Sequence, residues 1–166
     1  MTEVLDHWIN GAAAAGASTR TAPVYNPAEG TVSREVRLAT VADVDVAVQA
    51  AKAAFPAWAD SSLAKRQTVL FAFRELLNAR KSEVAAILTN EHGKVTSDAL
   101  GEVARGLEVV EFTTSIPHLM KGEYSENVST GVDVYSLHQP LGVVGIISPF
   151  NFPAMVPLWF LPFAVA

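Results

Sequence analysis

Between Ser148 and Pro153 the chain sets a single carboxamide, Asn151, between two aromatic side chains, Phe150 and Phe152, with prolines at 149 and 153. An amide fixed in a short proline-bounded loop has two uses. Its oxygen can accept from backbone N–H groups and cap the helix that follows, for which Asn is among the favoured residues. Alternatively the loop can present the amide to a bound ligand. Arg105, between Gly101 and Gly106, is the second candidate. A guanidinium fork matches a carboxylate, a substrate's included. It can equally form a surface pair with Glu102 or Glu108, at i−3 and i+3, worth a few tenths of a kcal/mol. Cysteine is absent, so the chain brings no thiol nucleophile, disulfide or thiolate metal site. His7, His92, His118 and His138 show neither metal spacing nor a triad partner, and no metal site is expected.

The element that must hold Asn151 reads as strand, loop and helix. After Pro140, the run Val143, Val144, Ile146 and Ile147 is apolar and β-branched, as a strand buried on both faces requires. Gly142 and Gly145 allow close approach of a backbone or a ligand. Pro149 ends the strand and Pro153 suits the first turn of a helix over 154–166. Loops at the carboxyl ends of strands in open α/β sheets are where ligands bind. The glycines flanking Arg105 each cost a helix about 0.5–1 kcal/mol, so a close approach near Arg105 is expected.

Upstream, residues 4–38 read as extended, with Gly11 to Thr19 as a loop and turn chemistry from Tyr25 to Val32. Thr40 with Asp43 forms a variant capping box, opening a helix that carries Val44, Ala47, Val48, Ala51 and Phe55 on its apolar face. Ser61 or Ser62 caps the next, with Val69, Leu70, Phe73, Leu76 and Leu77 inward. A third helix, from about Lys81 to His92, turns Val84, Ile87 and Leu88 inward and ends at Gly93. A fourth starts at Ser97 or Asp98, buries Leu100, Val103, Leu107, Val110 and Ile116, and is closed by Pro117. The period then becomes two: Tyr124 to Val128 and Val132 to Ser136 flank Ser129-Thr130-Gly131 as a β-hairpin.

Half of the 166 residues are hydrophobic and 17% are charged, which predicts one core-forming domain. A net charge of −5, with no run of Lys or Arg, argues against nucleic acid as a partner. No basic-then-apolar leader opens the chain, and a cytoplasmic protein is expected. Residues 141–166 carry no charge, but Pro149, Pro153, Pro157 and Pro162 argue against a membrane span.

The stretch Pro140-Leu141-Gly142-Val143-Val144-Gly145-Ile146-Ile147-Ser148-Pro149-Phe150-Asn151-Phe152-Pro153 resembles the loop motif of the aldehyde dehydrogenase superfamily. The wording of Val24-Tyr25-Asn26-Pro27, Glu91-His92-Gly93-Lys94, Gly101 to Glu108, Gly131 to Ser136 and Phe152 to Trp159 is similar to its CoA-acylating, methylmalonate-semialdehyde branch. The resemblance implies an α/β fold, the helix-rich amino-terminal portion of a Rossmann-like NAD-binding domain with a protruding hairpin. In that reading 1–122 and 140–166 form an incomplete NAD-binding domain and 123–139 an oligomerisation hairpin. It implies NAD as cofactor, held without the Gly-x-Gly-x-x-Gly fingerprint and contacted by Ser148 and Phe150. It assigns Asn151 to the oxyanion and Arg105 to the substrate carboxylate. The implied reaction is oxidation of methylmalonate or malonate semialdehyde to propionyl-CoA or acetyl-CoA, with coenzyme A as co-substrate, in a homo-oligomer (dimer or tetramer).

The family's catalytic cysteine is missing, as are the following strands and a Lys near the cofactor ribose. A carboxylate closing the apolar run Leu158 to Ala166 would also be costly to bury unpaired. An inactive amino-terminal fragment is therefore expected. A non-acylating aldehyde dehydrogenase and a non-catalytic interaction fragment are the alternatives.

Overall fold

A computed structural model describes residues 3–166. The chain opens in short strands: β1 (Val4–Leu5), β2 (His7–Ile9), β3 (Ala12–Ala14), β4 (Thr21–Asn26) and β5 (Thr31–Arg37). β4 and β5 form an antiparallel pair, and β1 joins β5 in parallel, giving the order β1-β5-β4. Their turn is fastened by the Gly30 N–H donating to the Asn26 carbonyl (2.8 Å) and the Ala28 N–H to the Asn26 side chain (3.1 Å).

The loop expected over Gly11 to Thr19 is not a loop throughout. Ala12–Ala14 pairs antiparallel with His7–Ile9. The turn is Asn10-Gly11, both at positive φ (52° and 78°), which matches the twist of the flanking strands. That dipeptide outweighs the poor strand propensity of three alanines.

Four long helices follow: α1 (Val41–Ala59), α2 (Leu63–Ala79), α3 (Lys81–His92) and α4 (Thr96–Thr113). The expected capping box opens α1. Asp43 accepts from the Thr40 N–H (2.8 Å), and the Asp43 N–H donates to the Thr40 hydroxyl (3.2 Å). The other Asp43 oxygen accepts from the Ala17 N–H (2.8 Å), tying α1 to the strand layer. These bonds, the Thr40 backbone first, hold the Asp43 carboxyl at about 2. Of the two serines offered for α2, Ser62 is the cap, accepting from the Lys65 N–H. Gly93 (φ 81°) ends α3 in the left-handed conformation. α4 starts one residue earlier than expected, after Val95, without a side-chain cap. Pro117 does not close it: α4 stops at Thr113, and Pro117 sits in the first turn of the short α5 (Ile116–Leu119).

The hairpin β6 (Tyr124–Ser129) and β7 (Val132–Tyr135) stands clear of the body, every residue exposed. α6 (Met155–Val165) closes the chain. The core lies between α2, α3, α4 and α6: Leu77, Ala85, Leu88, Ala99, Val103, Leu107, Val110 and Leu158. Several residues expected inside are outside. Val69, Phe73, Leu76 and Ile87 are exposed, as are Val44, Ala47 and Ala51 on α1. Helical period marks an apolar face correctly here, but that face is wider than what these neighbours cover. The apolar residues Trp159, Phe160, Leu161, Phe163 and Val165 of α6 are likewise exposed.

The strand expected over 143–147 does not form. Residues 141–150 take no ladder partner among the described residues, and Ile147 is 100% exposed. A strand is a property of a pair, and β-branched composition supplies only one member. The expected helix-rich α/β class nonetheless holds: short strands open the chain, helices follow, and a hairpin protrudes before the last helix.

Candidate active site

Asn151 lies in the connection between the extended segment and α6, and it is exposed. It is not a helix cap. The residue at the cap position is Ala154, three positions later, which has no side chain able to accept. Asn151's side-chain amide makes no hydrogen bond among the described residues; only its main-chain oxygen is engaged.

What caps α6 comes from another helix. Glu102, 3% exposed in the middle of α4, accepts the Ala154 N–H (2.8 Å) and the Met155 N–H (3.0 Å) on one oxygen. Its other oxygen pairs with the ammonium of Lys94. Lys94, just after the Gly93 turn, also donates to the Asn151 carbonyl (3.3 Å) and stands 4.8 Å from the centre of the Phe152 ring. A negative group at a helix N-terminus satisfies orphan N–H groups and complements the dipole. Burial works to raise the Glu102 carboxyl. Hydrogen bonds from Lys94 and from the Met155 and Ala154 N–H groups outweigh it, leaving the pKa below its ordinary value.

Neither Glu102 nor Lys94 was singled out from sequence, although one signal was present. Ala99, Val103, Gly106 and Val110 trace the buried stripe of α4, and Glu102 falls within it, three after Ala99 and four before Gly106. A charge inside an apolar stripe needs a partner.

Arg105 is exposed and makes no ion pair among the described residues. The surface pair with Glu102 is ruled out, since Glu102 is buried against Lys94. The close approach signalled by the flanking glycines belongs elsewhere. A Cβ on Gly106 would stand 2.5 Å from Leu158 Cδ1 of α6, whereas one on Gly101 would meet nothing within 4 Å. Arg105 follows Glu102 by three residues, which makes them neighbours on the helix surface.

Ser148 is exposed, and Phe150 is 64% exposed with its ring centre 5.2 Å from that of His92. Phe150 lines a cavity of about 510 Å³ with Tyr25, Pro27, Glu91 and His92, between the β4–β5 sheet and the end of α3. Around Gly142 and Gly145 there is open space. The segment from Val143 to Phe150 thus has no ladder partner among the described residues and exposes most of its side chains. Ser148, Phe150 and Asn151 follow one another on this connection to α6, whereas Arg105 lies on α4.

Residues 14–166 match the aldehyde dehydrogenase family, and the chain belongs to it. It is 46% identical over 162 residues to the malonate-semialdehyde dehydrogenase of Pseudomonas aeruginosa, covering 98% of this chain and 32% of that protein. It is 45% identical over 164 residues to malonate-semialdehyde dehydrogenase 1 of Geobacillus kaustophilus, covering 99% of this chain and 34% of that one. Among solved structures, a Sinorhizobium meliloti 1021 protein assigned as a methylmalonate-semialdehyde dehydrogenase, in complex with NAD, superposes with a TM-score of 0.95 at 45% identity. That match covers 99% of this chain and 34% of that one. The chain therefore spans about a third of the length of the relatives it matches. No helix among the described residues is long and apolar enough to cross a membrane.

Proposed function

We propose that this chain supplies the amino-terminal part of an NAD-dependent, CoA-acylating dehydrogenase for methylmalonate or malonate semialdehyde. The observation that carries the reading is the Asn151 amide: exposed, without a hydrogen bond among the described residues, and carried on a backbone held at its own carbonyl and at Ala154. In this reading residues 1–122 and 140–166 are part of an NAD-binding domain, and 123–139 is an oligomerisation hairpin. The hairpin's complete exposure, with Tyr124, Val128, Val134 and Tyr135 uncovered, supports that division.

NAD, when bound, accepts the hydride released from the aldehyde carbon. Ser148 and Phe150 form part of the wall that positions it. The nucleophile comes from outside this sequence, which has no cysteine. When a thiolate adds to the aldehyde carbon, the carbonyl oxygen becomes an oxyanion, and the Asn151 NH2 donates to it. Arg105 offers its guanidinium to the carboxylate that distinguishes semialdehydes from neutral aldehydes. Loss of hydride leaves a thioester; its carboxylate departs as carbon dioxide, a proton replaces it on the α-carbon, and the coenzyme A thiol displaces the enzyme thiol to give acetyl-CoA or propionyl-CoA.

The test uses a complete dehydrogenase in which these 166 residues replace the matching segment of the Pseudomonas aeruginosa relative. Asn151→Ala should slow single-turnover NADH formation about a hundred- to a thousand-fold, the loss of one oxyanion donor. A rate near wild type would overturn the assignment. Product analysis separates a CoA thioester from the free acid of a non-acylating enzyme.

A further inference from the structure

The Asn151 amide makes no hydrogen bond among the described residues, so its direction is set by the backbone that carries it. That backbone is held at two points, at Asn151 itself and at the start of α6, by one ion pair. Lys94 holds the carbonyl of Asn151 itself, while Glu102 holds the N–H groups of Ala154 and Met155. The two grips join, because the ammonium and the carboxylate are paired to each other. Glu102 sits on the buried stripe of α4, and Phe152 lies against Lys94, so the span from 151 to 155 has little freedom to rotate.

We propose that Glu102, acting with Lys94, is a positioning residue for the reaction: it aims the Asn151 amide at the developing oxyanion. The proposal rests on the reading of Asn151 as the oxyanion donor. Glu102 is buried, with one oxygen on Lys94 and the other on the Ala154 and Met155 N–H groups, so it works through the loop. Its role is also more than helix capping, since a cap alone does not require the capping group to be joined to a cation that holds Asn151.

A double-mutant cycle in the same complete dehydrogenase tests this, reading single-turnover NADH formation per titrated active-site thiol. Glu102→Ala should slow that step about ten- to a hundred-fold, the scale expected when a reacting group is misplaced by about 1 Å. Glu102→Gln keeps an oxygen for the Ala154 and Met155 N–H groups and should recover most of the rate. In an Asn151→Ala background, Glu102→Ala should cost less than about twofold, because there is no amide left to aim. An equal fold-loss in both backgrounds, or a wild-type rate for Glu102→Ala, would overturn the positioning role. If Asn151→Ala itself retains a normal rate, the oxyanion reading fails, and this proposal with it. Where Glu102→Ala does not fold, Lys94→Met in both backgrounds provides the same comparison.

Discussion

Gly106 and Gly101 lie on the same helix, and their alanine variants are expected to move stability in opposite directions. At Gly101 an added Cβ meets nothing within 4 Å, so Gly101→Ala should gain only the helix-propensity difference, about 0.5–1 kcal/mol. At Gly106 the same Cβ would lie 2.5 Å from Leu158 Cδ1, 3.0 Å from Leu158 Cβ and 3.4 Å from Leu158 Cγ. Carbon atoms pack at about 3.5–4.0 Å, so the overlap is about 1 Å. Turning the Leu158 methyl away leaves the clash with its Cβ, which is fixed to the α6 backbone. α6 cannot slide easily, being held at its start by Glu102 and near its end by the Trp58 indole N–H donating to the Val165 carbonyl (2.7 Å). Overpacking of this kind costs about 1–3 kcal/mol. The two variants should therefore differ by that amount, with Gly106→Ala below wild type by about 0.5–2 kcal/mol after its propensity gain. Urea denaturation of the 166-residue chain, followed by helical circular dichroism, measures this as opposite shifts in midpoint at constant m. Equal stabilisation by both alanines would refute the packing of α6 on α4.

Arg105→Leu in the complete dehydrogenase should reduce kcat/KM for malonate semialdehyde far more than for a neutral aldehyde; equal losses would leave Arg105 a surface residue. The 166-residue chain alone should form no NADH from aldehyde and NAD, because it has no thiol; any turnover by protein free of full-length enzyme would refute this. Asp43 has a folded pKa of about 2 against an ordinary 3.8, so its contribution is full above the ordinary value and is lost as pH falls toward 2. Asp43→Asn should accordingly flatten the acid limb of a stability–pH curve, and an unchanged limb would contradict the bonding to Thr40 and Ala17. Ser62→Ala should cost about 1 kcal/mol through the lost cap on α2, measured as a lower denaturation midpoint.

What could be read from sequence here was whatever a residue decides within a few positions of itself. Thr40 with Asp43, Ser62, the Gly93 stop and the hairpin around Thr130-Gly131 are local contracts, and each is present. What could not be read depends on a partner distant in sequence. Val143 to Ile147 carries the composition of a buried strand, yet pairing is decided by a neighbour, and none of the described residues supplies one. Of the two glycines around Arg105 only Gly106 marks a close approach, and it makes room for Leu158, fifty-two residues on, with Gly101 in open space. Glu102 shows the same limit at the candidate site. Local rules offered it to Arg105 as a surface partner, whereas its bonds go to Ala154 and Met155, fifty-two and fifty-three residues away. The two cases are linked. Gly106 lets α6 lie against α4, and that contact brings the α6 N-terminus within reach of Glu102. The placement of the segment that follows Asn151 thus rests on a glycine and a carboxylate one turn apart on another helix.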